Sequence, residues 1–403
     1  MDKLIEKFII KHMLKILQIN NFSERIGGAE VVFLNSIDML KQKGHSVFSF
    51  STRIKENMGG SDYSIVHSKS IRSRFYSREA NNIIKEIILK EKPNVAHIHN
   101  IIGGITYSIL PELRKNNIPI VATIHDYKLL CPACNFVDSR NMICEKCKGG
   151  KYYNCTINNC STNGIISSFF LSGESYLRDR YLPFWKMIDQ FIFVSNYEKN
   201  KFLEVHPQIG TKANIIYNFT NKFLQEKKKG SYFISFGRLA VEKGLLTLLD
   251  AFRERPNLNL KIVGDGPLKN YLEKRKTSSV ELLGYKTGVE LEDIIRKASF
   301  TVVPSESYET NSLTTVESYS MGKPVIGSRI GALEELIKEG VTGFTFKPKD
   351  HNALSKLSTS CSELSDNEYQ KYSDNAFKFA NDKFSPDVHY EQLIKVYEKV
   401  VNQ

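Results

Sequence analysis

Two glutamates, Glu309 and Glu317, stand eight positions apart late in the chain. Glu309 closes the stretch Pro304-Ser305-Glu306-Ser307-Tyr308-Glu309, which follows a short apolar run from Phe300 to Val303. Glu317 falls two turns into the helical pattern that comes next, before Ser320-Met321-Gly322. At about 3.6 residues per turn, that spacing puts both carboxylates near one helix face. Between them, Thr310, Asn311, Ser312 and Leu313 open the helix. A helix start offers unpaired N–H groups and the positive end of the peptide dipole. Hydroxyl-accepting carboxylates beside an anion-favouring helix end suit a ligand with both hydroxyls and phosphate, and a nucleotide sugar has both.

Other chemistry-bearing residues follow apolar runs in the same way. Arg238 and Lys243 flank a strand-to-helix turn in Gly237-Arg238-Leu239 and Glu242-Lys243-Gly244. A forked guanidinium and a compact ammonium five positions apart favour a diphosphate over a solvated loop. Gly264-Asp265-Gly266-Pro267 permits a close backbone turn, and Gly284-Tyr285 offers a wall for a flat base. Gly27-Gly28 opens the first helix, either as a phosphate-facing loop or as a simple tight turn. His125-Asp126 ends a strand, where the histidine is a cleft-facing hydrogen-bonding group or a satisfied structural one.

The elements needed to position these residues alternate along the chain. Expected strands are 14–20, 46–51, 95–99, 119–124 and 191–195. Helical patterns such as 29–43 and 81–90 lie between them. A polar break at 218–231 is followed by the same rhythm at 232–237, 260–263, 280–283, 300–303, 324–327 and 343–346. This is the signature of parallel sheets covered on both faces. We therefore expect an α/β protein of two doubly wound, Rossmann-like domains facing each other across a cleft. They are an N-terminal domain over 1–220, a C-terminal domain over 221–385 and a last helix over 386–403. Ligands of such sheets bind at the carboxyl ends of the strands.

At 403 residues and 41% apolar content, the chain is long enough for two cores. Its net charge of +12 points to anionic partners or to a generally lysine-rich composition. No uncharged apolar run reaches the ~18 residues of a membrane span, and the first ten residues make a poor signal peptide. The expected location is the cytoplasm. Met1 and Met13 are both possible starts. Six of seven cysteines fall within 131–160. Cys131-x2-Cys134 and Cys144-x2-Cys147 have the spacing of a structural zinc site, with reduced or disulfide-linked thiols as the alternative. Arg72, Arg74 and Arg78 mix with Phe75 and Tyr76. Arg178 and Arg180 stand among Phe169, Phe170, Tyr176, Tyr181, Phe184 and Trp185. Such mixtures suit the anionic inner face of a membrane, or an ordinary packed helix with a basic edge.

Together these motifs resemble family 4 glycosyltransferases, the retaining nucleotide-sugar enzymes of the GT-B architecture. The resemblance runs from Met13 onward. It is carried by Gly27-Gly28-Ala29-Glu30, His125-Asp126, Val194-Ser195, Asn218, Gly237-Arg238-Leu239 with Lys243-Gly244, Gly264-Asp265-Gly266-Pro267, Gly284 and Glu309-x7-Glu317. Gly331 with Glu335, and Gly340 with Thr342-Gly343, complete it. It implies that Arg238 and Lys243 neutralise the diphosphate of a UDP- or GDP-linked donor and that Glu317 holds the ribose. Glu309 would contact the sugar, with the backbone of Thr310 to Leu313 beside it. Gly27-Gly28 would close over the diphosphate and His125 would face the acceptor. The resemblance implies no catalytic metal. The acceptor would be a growing glycan or lipid-linked acceptor in capsule, O-antigen or lipopolysaccharide synthesis, with peripheral membrane contact and no nucleic acid. The chain departs from many relatives in reading Thr310-Asn311-Ser312 where they have Gly-Phe-Gly. Alternatives are a nucleotide-sugar epimerase or hydrolase of the same architecture, and a zinc-stapled basic nucleic-acid-binding protein.

Overall fold

The computed structural model describes residues 13–25, 27–53, 61–66, 75–101 and 103–403. The first sheet holds β1 (Lys15–Phe22), β2 (Ser46–Arg53), β3 (Tyr63–Val66), β4 (Val95–Ile98), β5 (Ile120–Ile124), β6 (Gln190–Phe193) and β7 (Ala213–Ile215). All run parallel, in the order β3-β2-β1-β4-β5-β6-β7. The second holds β8 (Phe233–Phe236), β9 (Leu260–Val263), β10 (Val280–Gly284), β11 (Thr301–Val303), β12 (Val325–Ser328) and β13 (Gly343–Phe346), parallel in the order β10-β9-β8-β11-β12-β13. The helices that shape the cleft and its flanks are α1 (Gly28–Gln42), α2 (Ile165–Tyr181), α3 (Asn196–Leu203), α4 (Leu245–Arg253), α5 (Leu313–Ser320), α6 (Asp366–Phe384) and α7 (Pro386–Val401).

The strands are unbroken apolar runs because both faces are covered. In β1, Leu17 and Ile19 join one buried cluster while Ile16 joins another on the opposite face. This is the period of two expected of a strand. The reversal of strand order falls between β1 and β4 in one sheet and between β8 and β11 in the other. Each reversal opens a crevice at the strands' carboxyl ends. Elements not anticipated include the short edge strands β3 and β7 and a helix over His351–Glu363.

Helix α6 buries Ala376, Ala380 and Phe384 with Tyr319 and Leu333 of the second domain. The chain then turns at Ser385, whose side chain caps the next helix, with Pro386 at its first position. Helix α7 packs Leu393, Val396, Tyr397 and Val400 against Ile16, Phe33 and Val95 of the first domain. Spacings of three and four put these side chains on one face. Each contributes about 1.5–3 kcal/mol by burial. The Tyr397 hydroxyl bonds buried Gln18 (3.0 Å) and His97 (2.6 Å). Tyr397→Phe leaves both without that partner, so we expect a stability loss of about 1–3 kcal/mol, read as a lower urea midpoint.

Candidate active site

The loop between β11 and α5 is the centre of the site. Val303 ends the strand, and Ser312 caps α5 by accepting from the Thr315 N–H (3.3 Å). Glu309 therefore lies in the loop, before the helix. The shared helix face inferred from spacing does not exist. Glu309 and Glu317 both reach the cleft because the loop folds back beside the first turns of α5. Gly331, at φ +60°, makes that fold possible. A Cβ there would stand 2.6 Å from the Glu309 nitrogen and 2.7 Å from its carbonyl oxygen. Ala332 N–H also donates to that oxygen (2.9 Å). Gly331→Ala should therefore cost about 1–2 kcal/mol from its positive φ, displace Glu309 and lower kcat at least tenfold. A Tm measured beside the rate separates the two effects.

Glu309 accepts from Lys243 Nζ (2.7 Å) and Ser305 Oγ (2.5 Å) at one oxygen. Burial pushes its pKa up, but the Lys243 charge and the hydrogen bonds from Lys243 and Ser305 outweigh burial and hold it below the usual carboxylate range. It is thus an ionised carboxylate at neutral pH. Arg238, largely exposed in the cleft, pairs with Glu242 one helical turn on. Glu317 has no hydrogen-bonded or ion-paired partner for its carboxylate among the described residues. Burial raises its pKa, partly offset by Lys222 and Arg25.

These groups line one cleft of about 1160 Å³ between the sheets. Its walls include Gly27, Gly28, His125, Arg238, Lys243, Gly264, Tyr285, Glu309, Thr310, Asn311, Ser312, Leu313 and Glu317. Gly284 is not among them. Its carbonyl accepts from Gly264 N–H (2.8 Å), so it supports the turn from behind. Across the cleft, a Cβ on Gly28 would come within 3.2 Å of the Leu313 side chain. The residues in place of Gly-Phe-Gly are used between domains. Thr310 Oγ1 donates to the His125 carbonyl (3.0 Å), and Asn311 Nδ2 to the Val194 carbonyl (2.8 Å). Tyr308 seats among Tyr127, Phe136 and Tyr197 of the first domain. Glu335 adds a further tie, accepting from Asn196, Tyr217 and the Tyr197 N–H. Residue-level reading missed the roles of Ser305, Arg25 and Lys222. Ser305 was legible as a hydroxyl four positions from Glu309, whereas the other two are single cations in loops.

His125 stacks on His99, with Nε2 of His125 2.9 Å from Nδ1 of His99. His99 Nε2 donates to Gln18 Oε1 (3.0 Å), whose amide nitrogen donates to Tyr397. With His99 neutral, its Nδ1 is an acceptor. The His125 proton therefore sits on Nε2, and its Nδ1 keeps a lone pair. Burial lowers the pKa of His97 and His125 to about 3 each and holds His99 well below its ordinary value. Groups neutral when folded but protonated when unfolded below about pH 6.5 destabilise the fold as pH falls. We expect Tm to drop between pH 6.5 and 4, and to be insensitive to these histidines above pH 7.

All seven cysteines are free thiols. Cys134 lines the cleft, while Cys147 and Cys155 pack with Tyr152, Ala133 and Cys160. Among the described residues, no group of three or more His, Cys, Asp or Glu side chains stands where it could hold a metal ion. The insert has this small core and backbone bonds such as Cys144 N–H to the Phe136 carbonyl (2.7 Å). Arg178, in the run read either as a membrane surface or as a packed helix, is 3% exposed and bound to Asp179 (2.9 Å). Phe184 is buried and Trp185 is partly buried against the core. Arg72 and Arg74 lie outside the described residues.

Two facing Rossmann-like domains with carboxylates, paired cations and a helix start in one cleft define a GT-B glycosyltransferase. Family models agree. Residues 26–222 match Glycosyltransferase Family 4, and residues 218–379 match Glycosyl transferases group 1. The chain belongs to this glycosyltransferase family. It is 27% identical over 398 residues to an uncharacterized glycosyltransferase of Methanocaldococcus jannaschii, covering 96% of this chain and 99% of that one. It is 25% identical over 344 residues to an uncharacterized 42.6 kDa protein in the cps region of Klebsiella pneumoniae, covering 77% and 84%. The fold is also that of Anabaena HepE in complex with UDP, with TM-score 0.67, 16% identity and 96% and 100% coverage. Among the described residues, no helix is long and apolar enough to cross a membrane.

Proposed function

We propose that this glycosyltransferase moves a sugar from a UDP- or GDP-linked donor to a glycan on a lipid carrier, in cell-surface polysaccharide synthesis at the cytoplasmic face of the membrane. The observation that carries the reading is the joint placement of Arg238, Lys243, Glu309, Glu317 and the start of α5 around one cleft. In this reading Glu317 accepts from the ribose hydroxyls and Tyr285 backs the base. Arg238, Lys243 and the α5 N–H groups receive the diphosphate. Glu309 accepts from hydroxyls of the transferred sugar. His125, neutral with a free Nδ1, accepts from a hydroxyl on the acceptor side.

Transfer proceeds with retention. The acceptor oxygen forms its bond to the anomeric carbon on the face from which the phosphate oxygen leaves. The acceptor proton passes to that departing oxygen. Charge builds on the diphosphate, and fixed cations beside it stabilise the transition state more than the ground state. The UDP bound to HepE and the cps-region relative support the donor class and the pathway. The test incubates the enzyme with UDP- and GDP-sugars and membrane lipid extracts, then reads the anomeric signal of the product by NMR. Retained configuration in an acceptor-dependent product is expected. Equal donor consumption without acceptor would instead support the hydrolase or epimerase reading.

A further inference from the structure

Helix α2 is inside out. Its buried side chains are Ser168, Ser172, Glu174, Ser175 and Arg178. Its exposed ones are Ile165 (59%), Ile166 (72%), Phe169 (62%), Tyr176 (42%), Leu177 (46%) and Tyr181 (69%). At about 100° per residue, the exposed set fills one half of the helix circumference and the buried set the other. Surface helices normally do the reverse. The inner face is polar and packed: Ser172 Oγ donates to the Tyr152 carbonyl (2.8 Å), and Glu174 pairs with Lys128 (3.7 Å) and Arg178 (3.6 Å). Ile157, 71% exposed on the preceding helical turn, adds to the apolar side.

The charges around this face have one sign. No acidic residue occurs between Glu145 and Glu174. Glu174 is turned inward to Lys128 and Arg178, and Asp179 to Arg178 and the Tyr152 hydroxyl. Lys151, Arg180 and Lys186 are exposed, and none has an ion-pair partner among the described residues. An apolar face bordered by unpaired cations and tyrosines complements an anionic lipid surface. A second copy of the chain would bring like charges together.

We propose that the outer face of α2 docks the enzyme on anionic lipid, with Ile166, Phe169 and Leu177 entering the interface and Lys151, Arg180 and Lys186 meeting headgroups. The inner face of α2 connects to the acceptor side of the cleft. Lys128, paired with Glu174 of α2, follows Asp126, whose carboxylate accepts the Lys128 N–H (2.7 Å). His125 lines the cleft next to it. This inference rests on the lipid-linked acceptor proposed above and specifies how that acceptor is reached.

The test is co-sedimentation of the full chain with vesicles of phosphatidylcholine containing about one third phosphatidylglycerol, at low and high salt, beside nucleoside diphosphate binding in solution. We expect binding to anionic vesicles, at least tenfold weaker binding to pure phosphatidylcholine, and weakening with salt. Ile166→Ser with Phe169→Ser removes only exposed side chains. It should cut vesicle affinity at least tenfold, with Tm and nucleotide affinity unchanged. Arg180→Glu with Lys186→Glu should do the same. Folded wild type that ignores anionic vesicles would overturn the proposal, as would serine variants that bind them equally. A wild-type dimer that the serine variants dissolve, without vesicle binding, would assign the face to self-association instead. Absence of nucleotide binding in wild type would count against the transferase reading alone.

Discussion

Glu309→Gln should lower kcat at least 100-fold, about 2.7 kcal/mol of transition-state stabilisation, while the protein stays folded. The substitution keeps the size of the side chain and removes its charge. In the wild type that charge is held by Lys243 and Ser305 and stays ionised despite burial. An ionised carboxylate is the stronger acceptor for hydroxyls of the bound sugar. Nucleoside diphosphate affinity should not weaken in this variant, because neutralising Glu309 frees Lys243 to meet a phosphate. A fall in kcat with unchanged or tighter diphosphate binding therefore marks Glu309 as acting on the sugar. Unaltered turnover in a folded variant would remove it from the reaction.

Arg238→Ala and Lys243→Ala should each weaken donor binding by about 1.5–3 kcal/mol, the range for one charged hydrogen-bonding contact. Arg238 is open to the cleft and pairs with neighbouring Glu242, so its loss should not disturb the fold. Lys243 also balances Glu309, and Lys243→Ala leaves that carboxylate without its counter-charge. Its effect should therefore exceed that of Arg238→Ala in kcat more than in affinity. The two effects should not add in the double variant, because both cations serve one diphosphate. Calorimetric titration of the two single variants and the double variant checks this.

Much of the architecture is legible because parallel strands covered on both faces are written as plain apolar runs. Strands β1, β9 and β13 needed no tertiary information. The edge strands β3 and β7 are short and half-exposed, so their sequences carry no comparable signal. The residues that line the cleft were picked by chemical type at strand ends, but their geometry was not legible. The eight-residue spacing of Glu309 and Glu317 imitates a helix face although the intervening loop is held by Gly331, about twenty positions later. Contacts of that kind join distant segments and leave no local pattern. The cysteine pairs show the same limit. A C-x2-C spacing fixes proximity along the chain, whereas the turn at Cys134 (φ +74°) is part of a fold that carries its side chain to the cleft. The mixed aromatic and basic run at 169–185 gave the composition of α2 but not which half faces outward. That depended on the buried partners of Glu174 and Arg178.

The most direct test of the central claim is calorimetric titration of the purified wild-type chain with UDP and with GDP, each repeated on Arg238→Ala. The account predicts one site per chain, selective for one of the two nucleotides, with affinity at least tenfold weaker in the variant. A folded wild type that binds neither nucleotide, or binds one equally well without Arg238, would contradict a donor diphosphate held at this cleft.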